Sequence, residues 1–281
     1  MDSVRIKAYA KINLTLFITG VQDGYHNLDS LVASVNLYDK ITLKKRKDRE
    51  VTVKMFGEGS ETIATENNNA VKAAKLFIKE FATNGVDITV RKNIPMGAGL
   101  GGSSADAAGV LNGMAKLYKI TDSEKIKLLA DKTGSDTRYM LSGGFARLFG
   151  RGNEVKNIDG KLKFNILLLV PDENISTPQC YAAFDTLGKV GGNSDLAEKA
   201  VINGDIKALS DQLSNALMPA AASLSGKTEK CIKELKEFAP LAVNMTGSGS
   251  GVYALFENKK LCAYAKKHYK GEAKAYLSEV K

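Results

Sequence analysis

Four glycines fall within six residues, at Gly97, Gly99, Gly101 and Gly102, and two serines and an alanine-rich run follow them. Glycine lets a backbone approach a ligand closely and adopt positive φ. Ser103 and Ser104 are good N-cap residues for the run that follows. The free N–H groups and positive dipole end of a helix start favour phosphate. Residues 93–108 therefore read either as a loop that wraps the phosphates of a nucleotide or as a glycine-rich turn before an ordinary helix. Lys11 and Asn13 lie two apart in an alternating stretch, so they project side by side from one face. That face belongs to a site or simply meets water. Tyr25 and His26 follow an Asp-Gly turn and offer a stacking plane and a hydrogen-bonding edge, which suits a nucleobase. A capped turn with a half-buried tyrosine is the alternative.

The loop is not a Walker A loop, because no Gly-Lys-Ser/Thr follows the glycines. Gly97, Gly99 and Gly102 satisfy G-x-G-x-x-G. That pattern needs a strand before it and an acidic residue at a strand tip about 20 positions on. Asp122 sits near that place but follows the end of a helix. The protein-kinase signatures Val-Ala-Ile-Lys, His-Arg-Asp and Asp-Phe-Gly are absent.

The chain has 281 residues, 44% apolar and 25% charged, long enough for one large domain or two. No apolar run is long enough to span a membrane. The start, Met1-Asp2-Ser3-Val4-Arg5, carries no apolar leader, so no secretory signal is expected. Three distant cysteines, Cys180, Cys231 and Cys262, suggest neither a disulfide framework nor a zinc site, and a cytoplasmic location fits. The net charge of +9 fits nucleic acid, polyanionic small molecules or a solvated surface. Its densest cluster, Lys44–Lys47, resembles a solvated hairpin tip without interleaved aromatics, which speaks against nucleic acid.

The elements that must position these residues follow from periodicity. Residues 5–20 read as a strand, 31–56 as strands of a meander, and 86–92 as a strand ending at Lys92. A helix is expected over 67–83, with Asn67, Asn68 and Asn69 at its cap, and others over 104–119 and 122–133. Residues 143–152 form a strand and a glycine turn, and 164–171 a buried strand. Thr177 with Pro178 can start a helix that buries Tyr181. Residues 189–195 are a flexible loop. Helices follow over 196–202, 205–217 and 227–237. A second glycine loop, Thr246-Gly247-Ser248-Gly249-Ser250-Gly251, feeds a strand. A helix over 259–269 and a short strand end the chain.

The pattern Pro95-x-x-x-Gly99-Leu100-Gly101-x-Ser103-Ser104-Ala105 resembles the ATP loop of the galactokinase, homoserine kinase, mevalonate kinase and phosphomevalonate kinase (GHMP) superfamily. Together with Ala10–Leu14 and Asp23–Leu28 it is similar to the branch that phosphorylates the 2-hydroxyl of a cytidine-diphosphate-linked methylerythritol in the non-mevalonate isoprenoid pathway. The resemblance implies a catalytic base at Asp136, in the Gly134-Ser135-Asp136 element, and a partner cation at Lys11. It implies substrate contacts from Asn13, Tyr25, His26, Thr177 and Tyr181, with Tyr25 and Tyr181 as two walls around cytosine. ATP would meet Asn68, Lys92, Pro95, Gly97, Ala98, Gly99, Leu100, Gly101, Gly102, Ser103 and Ser104. Thr246, Gly247, Ser248 and Gly249 would pack beside the ATP loop and shape the acceptor site. Asn69 departs from the branch's leucine, and Thr137-Arg138-Tyr139 from its Val-Pro-Phe. Arg138 could touch a phosphate, pair with a surface acid, or signal an altered acceptor.

Under this resemblance Asp136 takes the proton of the acceptor hydroxyl, and Lys11 balances the carboxylate and the developing alkoxide. ATP is expected as its Mg²⁺ complex, with the metal's protein ligands unassigned. The implied fold is two-domain α+β: a ribosomal-protein-like βαβ domain over 1–158 and a smaller α/β sandwich over 159–281, with the site in the cleft and the chain a monomer or homodimer. Two alternatives stay open: a kinase for homoserine or a mevalonate derivative, and a non-enzyme, either a catalytically dead protein of the same fold or a basic RNA-binding module.

Overall fold

Side-chain burial along the first strand alternates only at its start. Strand β1 (Ser3–Asn13) alternates as far as Ala8, and from Ala10 to Ile18 every side chain is buried. The strand expected over 5–20 is in fact two, because the chain breaks at Leu14 before β2 (Thr15–Gln22). The structure, a computed structural model, describes residues 2–57, 59–63, 68–187 and 191–281. The expected cap residue Asn67 and loop residues Lys189 and Val190 lie outside these.

The contacts group into two units. One holds Met1–Ala10, Leu37–Pro95 and Gly101–Gly143; the other holds Lys11–Asn36, Met96–Leu100 and Gly144–Lys281. The chain thus passes between units on either side of Met96–Leu100, within the first glycine loop.

β3 (Tyr25–Lys45) is one strand of 21 residues, where short meander strands were expected. It stays continuous because it changes partner. Leu28–Ala33 pairs with β6 (Phe145–Gly150), and Lys40–Lys45 pairs with β5 (Val86–Arg91), both antiparallel. β4 (Val51–Phe56) runs parallel to β5, on the side away from β3. Lys44–Lys47 is therefore not a hairpin tip. Arg46 reaches Asp48 at 2.7 Å and Asp87 at 2.6 Å instead.

In the first unit, α1 (Asn69–Phe81) buries Ala70, Val71, Ala73, Ala74, Phe77 and Ile78. It packs against α2 (Gly102–Tyr118), and α3 (Ser123–Asp131) and α4 (Thr137–Ser142) follow. Glycine and alanine let α2 lie close on the sheet. A Cβ at Gly109 would stand 2.6 Å from Ile41 Cδ1, and one at Gly113 2.6 Å from Leu43 Cδ1.

In the second unit, β2 and the start of β3 form a hairpin, and β6 pairs with β7 (Glu154–Ile158). Buried Arg147 on β6 forks onto Asp29 at 2.7 and 2.5 Å and reaches Asp195 at 2.6 Å and Glu198 at 3.0 Å. An antiparallel sheet runs in the order β10 (Ala242–Met245), β11 (Val252–Phe256), β8 (Asn165–Val170), β12 (Lys274–Glu279). Its apolar face, Leu167, Leu169, Val252, Ala254 and Phe256, packs against Cys231 and Leu235 of α9 (Gly226–Lys236) and Cys262 and Ala265 of α10 (Lys259–His268).

The other helices of this unit are α5 (Thr177–Leu187), α6 (Asp195–Asn203), α7 (Ile206–Ser210) and α8 (Met218–Leu224). The helix expected over 205–217 ends at Ser210, because β9 (Ser214–Asn215) pairs in parallel with Thr15 and Leu16. Among the described residues, no helix is long and apolar enough to cross a membrane.

Candidate active site

The first glycine loop is seated on the second. In the second unit, Ser250 N donates to Gly97 O at 3.2 Å and Thr246 Oγ1 to Gly99 O at 3.0 Å. The approach is too close for any side chain. A Cβ on Gly99, at φ +70°, would stand 1.9 Å from Thr246 O, and one on Gly251 2.5 Å from Ala98 O. The expectation that Thr246–Gly249 packs beside the loop thus has a concrete basis. Asn215 holds the second loop from below: its Nδ2 donates to Met245 O at 2.8 Å and to Gly247 O at 2.9 Å.

Lys11 and Asn13 join this seat. Both are buried, and Lys11 Nζ donates to Asn13 Oδ1 at 2.6 Å, so the two share a face that does not meet water. Asn13 Oδ1 also accepts Gly247 N at 2.9 Å, while its Nδ2 donates to Ser30 Oγ at 2.8 Å. Ser30 Oγ in turn donates to Thr15 O at 2.5 Å. Lys11 N donates to Leu100 O at 3.0 Å, which ties the strand to the glycine loop. Thr177, at the start of α5, exchanges a hydrogen bond of 2.9 Å with Ser248.

The continuation of the loop lies in the first unit. Ser103 and Ser104 do not cap α2, contrary to expectation. Gly101 takes the cap position at φ +71°, with no side-chain hydrogen bond there, and the serines fall within the first turn. The positive φ explains the choice, since glycine adopts it without a Cβ clash. A helix start without a side-chain cap leaves backbone N–H groups open to water or to an anion.

The Gly134–Asp136 element lies against this first turn. A Cβ on Gly134 would stand 3.1 Å from Ser104 Oγ and 3.3 Å from Asn69 Nδ2. Asn69 also donates to Ser103 Oγ at 2.9 Å, and Asn68 caps α1 by accepting Val71 N at 2.9 Å. Asp136 precedes α4 and is half-buried. Of the three options for Arg138, the structure shows the second: it pairs with Asp131, a surface acid, at 2.5 Å.

The aromatic cluster is arranged differently from two tyrosine walls. The His26 ring is stacked on Tyr181, centroids 4.7 Å apart, and His26 Nε2 shares a 2.7 Å hydrogen bond with Asp185. Tyr25 is 56% exposed and carries the Arg151 guanidinium over its ring at 3.7 Å. Successive strand residues face opposite ways, so Tyr25 and His26 diverge.

Lys92 directly follows β5, which ends at Arg91 rather than at Lys92 as expected, and its ammonium is buried between Asp39 and Asp106. Sequence reasoning gave no role to Asp39, Asp106, Asp185, Arg151 or Asn215. Only Asp185 carried a local signal, one helical turn beyond Tyr181.

This arrangement has counterparts among known proteins. The family profile described as the GHMP kinases N terminal domain matches residues 68–146, and the GHMP kinases C terminal profile matches 197–271. A 4-diphosphocytidyl-2-C-methyl-D-erythritol kinase of Caldanaerobacter subterraneus subsp. tengcongensis is 34% identical, covering 95% of this chain and 93% of its own. One of Desulfitobacterium hafniense is 36% identical over 92% of this chain and 89% of its own. A crystal structure of a 4-(cytidine 5'-diphospho)-2C-methyl-D-erythritol kinase superposes with a TM-score of 0.83, at 26% identity, over 99% of both chains. The glycine loop on its seat, the α+β architecture and these likenesses together place the chain among the small-molecule GHMP kinases, in the 4-diphosphocytidyl-2-C-methyl-D-erythritol kinase family.

Proposed function

We propose that this kinase transfers the γ-phosphoryl group of ATP to the 2-hydroxyl of 4-diphosphocytidyl-2-C-methyl-D-erythritol, a cytoplasmic step of the non-mevalonate isoprenoid pathway. The observation that carries the reading is the seated glycine loop, continuous with a helix start that has no side-chain cap. Phosphoryl transfer needs positioning and charge neutralisation more than covalent chemistry. The Gly97–Ser104 backbone binds the nucleotide phosphates, and Pro95 sets the run into the loop. Asn68 lies at the adenine end, while the Lys92 ammonium is taken up by Asp39 and Asp106. Magnesium arrives with ATP as its complex and neutralises charge on the transferred group.

Asp136 accepts the proton of the acceptor hydroxyl, and Lys11 offsets the negative charge that develops on that oxygen. Asn13 orients the acceptor, and Thr177 with the Thr246–Gly249 loop shapes its site. His26 and Tyr181 take the cytosine, and Tyr25, which faces the other way, lies outside that contact. The stacked His26 and Tyr181 rings support a site for a flat base, which homoserine and mevalonate lack.

An ADP-release assay with the cytidyl substrate, homoserine and mevalonate tests this. Turnover is expected with the first alone, inhibited by CDP. Asp136→Asn is expected to lower kcat by roughly 10²–10⁴-fold, the usual contribution of a general base. Equal turnover by Asp136→Asn removes that residue from its role, and turnover of homoserine or mevalonate without CDP inhibition overturns the substrate.

A further inference from the structure

Three charged side chains are buried together beneath the start of α2. Lys92 Nζ donates to Asp106 Oδ2 at 2.6 Å and also to Asp39 Oδ2. Asp39 is fully buried, Asp106 is 3% exposed and Lys92 6%. Asp39 does more than pair with the lysine. Its Oδ1 accepts the backbone N–H groups of Asn93 at 2.6 Å and Ile94 at 2.9 Å, where the chain runs towards the glycine loop. Asp106 sits on the second turn of α2, where the chain leaves that loop. A Cβ on Gly102, the first residue of α2, would stand 3.7 Å from Lys92 Nζ and 3.2 Å from Ile94 Cγ2. One ammonium therefore links the inbound segment to the outbound helix.

From this geometry we infer that Asp39, Lys92 and Asp106 form a clamp that sets the α2 N-terminus for the nucleotide phosphates. In it Asp39 and Asp106 are positioning residues, and the Lys92 ammonium acts through the helix rather than on the nucleotide. The inference rests on the reading of this loop as a phosphate site.

The charges favour a clamp over a ligand contact. Both acceptors of the ammonium are protein carboxylates, and a buried charge keeps such partners because an unpaired one is costly. Burial opposes the charged form of Lys92, but Asp106 and Asp39 outweigh it and raise its pKa. Burial pushes Asp106 up to about 7, against the pull of Lys92. Asp106 Oδ1 is buried without a hydrogen-bond partner. The site thus accepts an unsatisfied oxygen in order to keep the other one on the lysine. An asparagine can reproduce that arrangement, with its carbonyl oxygen towards Lys92. An alanine cannot.

The test is calorimetric binding of MgADP, with steady-state KM values for ATP and for the acceptor, on wild type, Asp106→Asn and Asp106→Ala. Asp106→Ala is expected to weaken MgADP and raise the ATP KM by about tenfold or more, the factor that follows from losing a charge-assisted hydrogen bond. The acceptor KM stays within about twofold, and Asp106→Asn remains within about threefold of wild type throughout, since its carbonyl still meets the lysine. Asp106→Ser replaces Asp106→Ala if the latter does not fold, with the same expectations. A lowered melting temperature with unchanged MgADP affinity overturns the clamp and leaves the phosphate-loop reading intact. So does equal damage to both KM values. Wild type that binds no MgADP overturns the phosphate-loop reading itself.

Discussion

Replacing Gly99 by alanine isolates the close approach of the two glycine loops. Two separate terms oppose it. The first is conformational: Gly99 has φ +70°, and an L-residue in the left-handed region costs about 1–2 kcal/mol. The second is steric: the new Cβ would stand 1.9 Å from Thr246 O and 2.8 Å from Thr246 C, backbone atoms that cannot rotate away. Overpacking of this kind costs about 1–3 kcal/mol. Gly204 provides the control: it has φ +71°, but a Cβ there would meet nothing within 4 Å, so it carries the first term alone. At about 2–4 °C per kcal/mol for a chain somewhat shorter than this one, Gly204→Ala is expected to lower the melting temperature by roughly 2–8 °C and Gly99→Ala by roughly 4–20 °C. Differential scanning calorimetry of the two variants, side by side, measures the difference. Gly99→Ala is also expected to raise the KM for ATP, and Gly204→Ala to leave it unchanged. Equal melting shifts, within about 1 °C, would refute the reasoning, because the loop would then have room that the distances deny it.

Other perturbations probe neighbouring features. Asn215→Ala deprives the carbonyls of Met245 and Gly247 of their shared donor; at about 1–3 kcal/mol for a buried group left unsatisfied, urea titration is expected to show a lower midpoint with the slope unchanged. Arg138→Ala removes a half-exposed pair with Asp131 and is expected to change stability by less than about 1 kcal/mol and kcat not at all, which separates it from a phosphate ligand in a single turnover comparison. Acid should act through Arg147. Burial of Asp29 works against its charge, but the bonds from Arg147 and Ser194 hold its pKa below the usual 3.8. A depressed carboxylate contributes stability above its unfolded value that is lost as pH falls through the folded one. Urea midpoints are therefore expected to fall below about pH 4, and the fall to flatten in Arg147→Met.

Part of the site's geometry was legible because it resides in spacing. The i, i+2 relation of Lys11 and Asn13 put them on one face, and the glycine density of residues 97–102 foretold backbone contact. What spacing cannot encode is the identity of a distant partner. Asp39 lies in a strand and Asp106 in an alanine-rich helix, and neither position is marked as a partner of Lys92 until β3, β5 and α2 are brought together. The length of β3 was hidden for the same reason, since it persists by exchanging one neighbouring strand for another. Ser103 and Ser104 were misplaced as caps because the positive φ of Gly101 moves the helix start ahead of them. Asn215 was lost in an expected helix, which a two-residue pairing with β2 cuts short.

Around the side-chain amide of Asn13 the hydrogens run in one direction. Lys11 and the Gly247 amide point theirs at its oxygen, its own nitrogen points towards Ser30, and Ser30 points on to Thr15. A carboxylate of the same shape would keep the first two bonds and even attract the lysine more strongly. It would also set a lone pair against the Ser30 oxygen, whose hydrogen already faces elsewhere. Slow deamidation here, a change of one nitrogen to oxygen, would therefore unsettle the floor of both glycine loops while leaving the outline of the side chain untouched. The amide serves as a polarity lock: it works because its two ends differ.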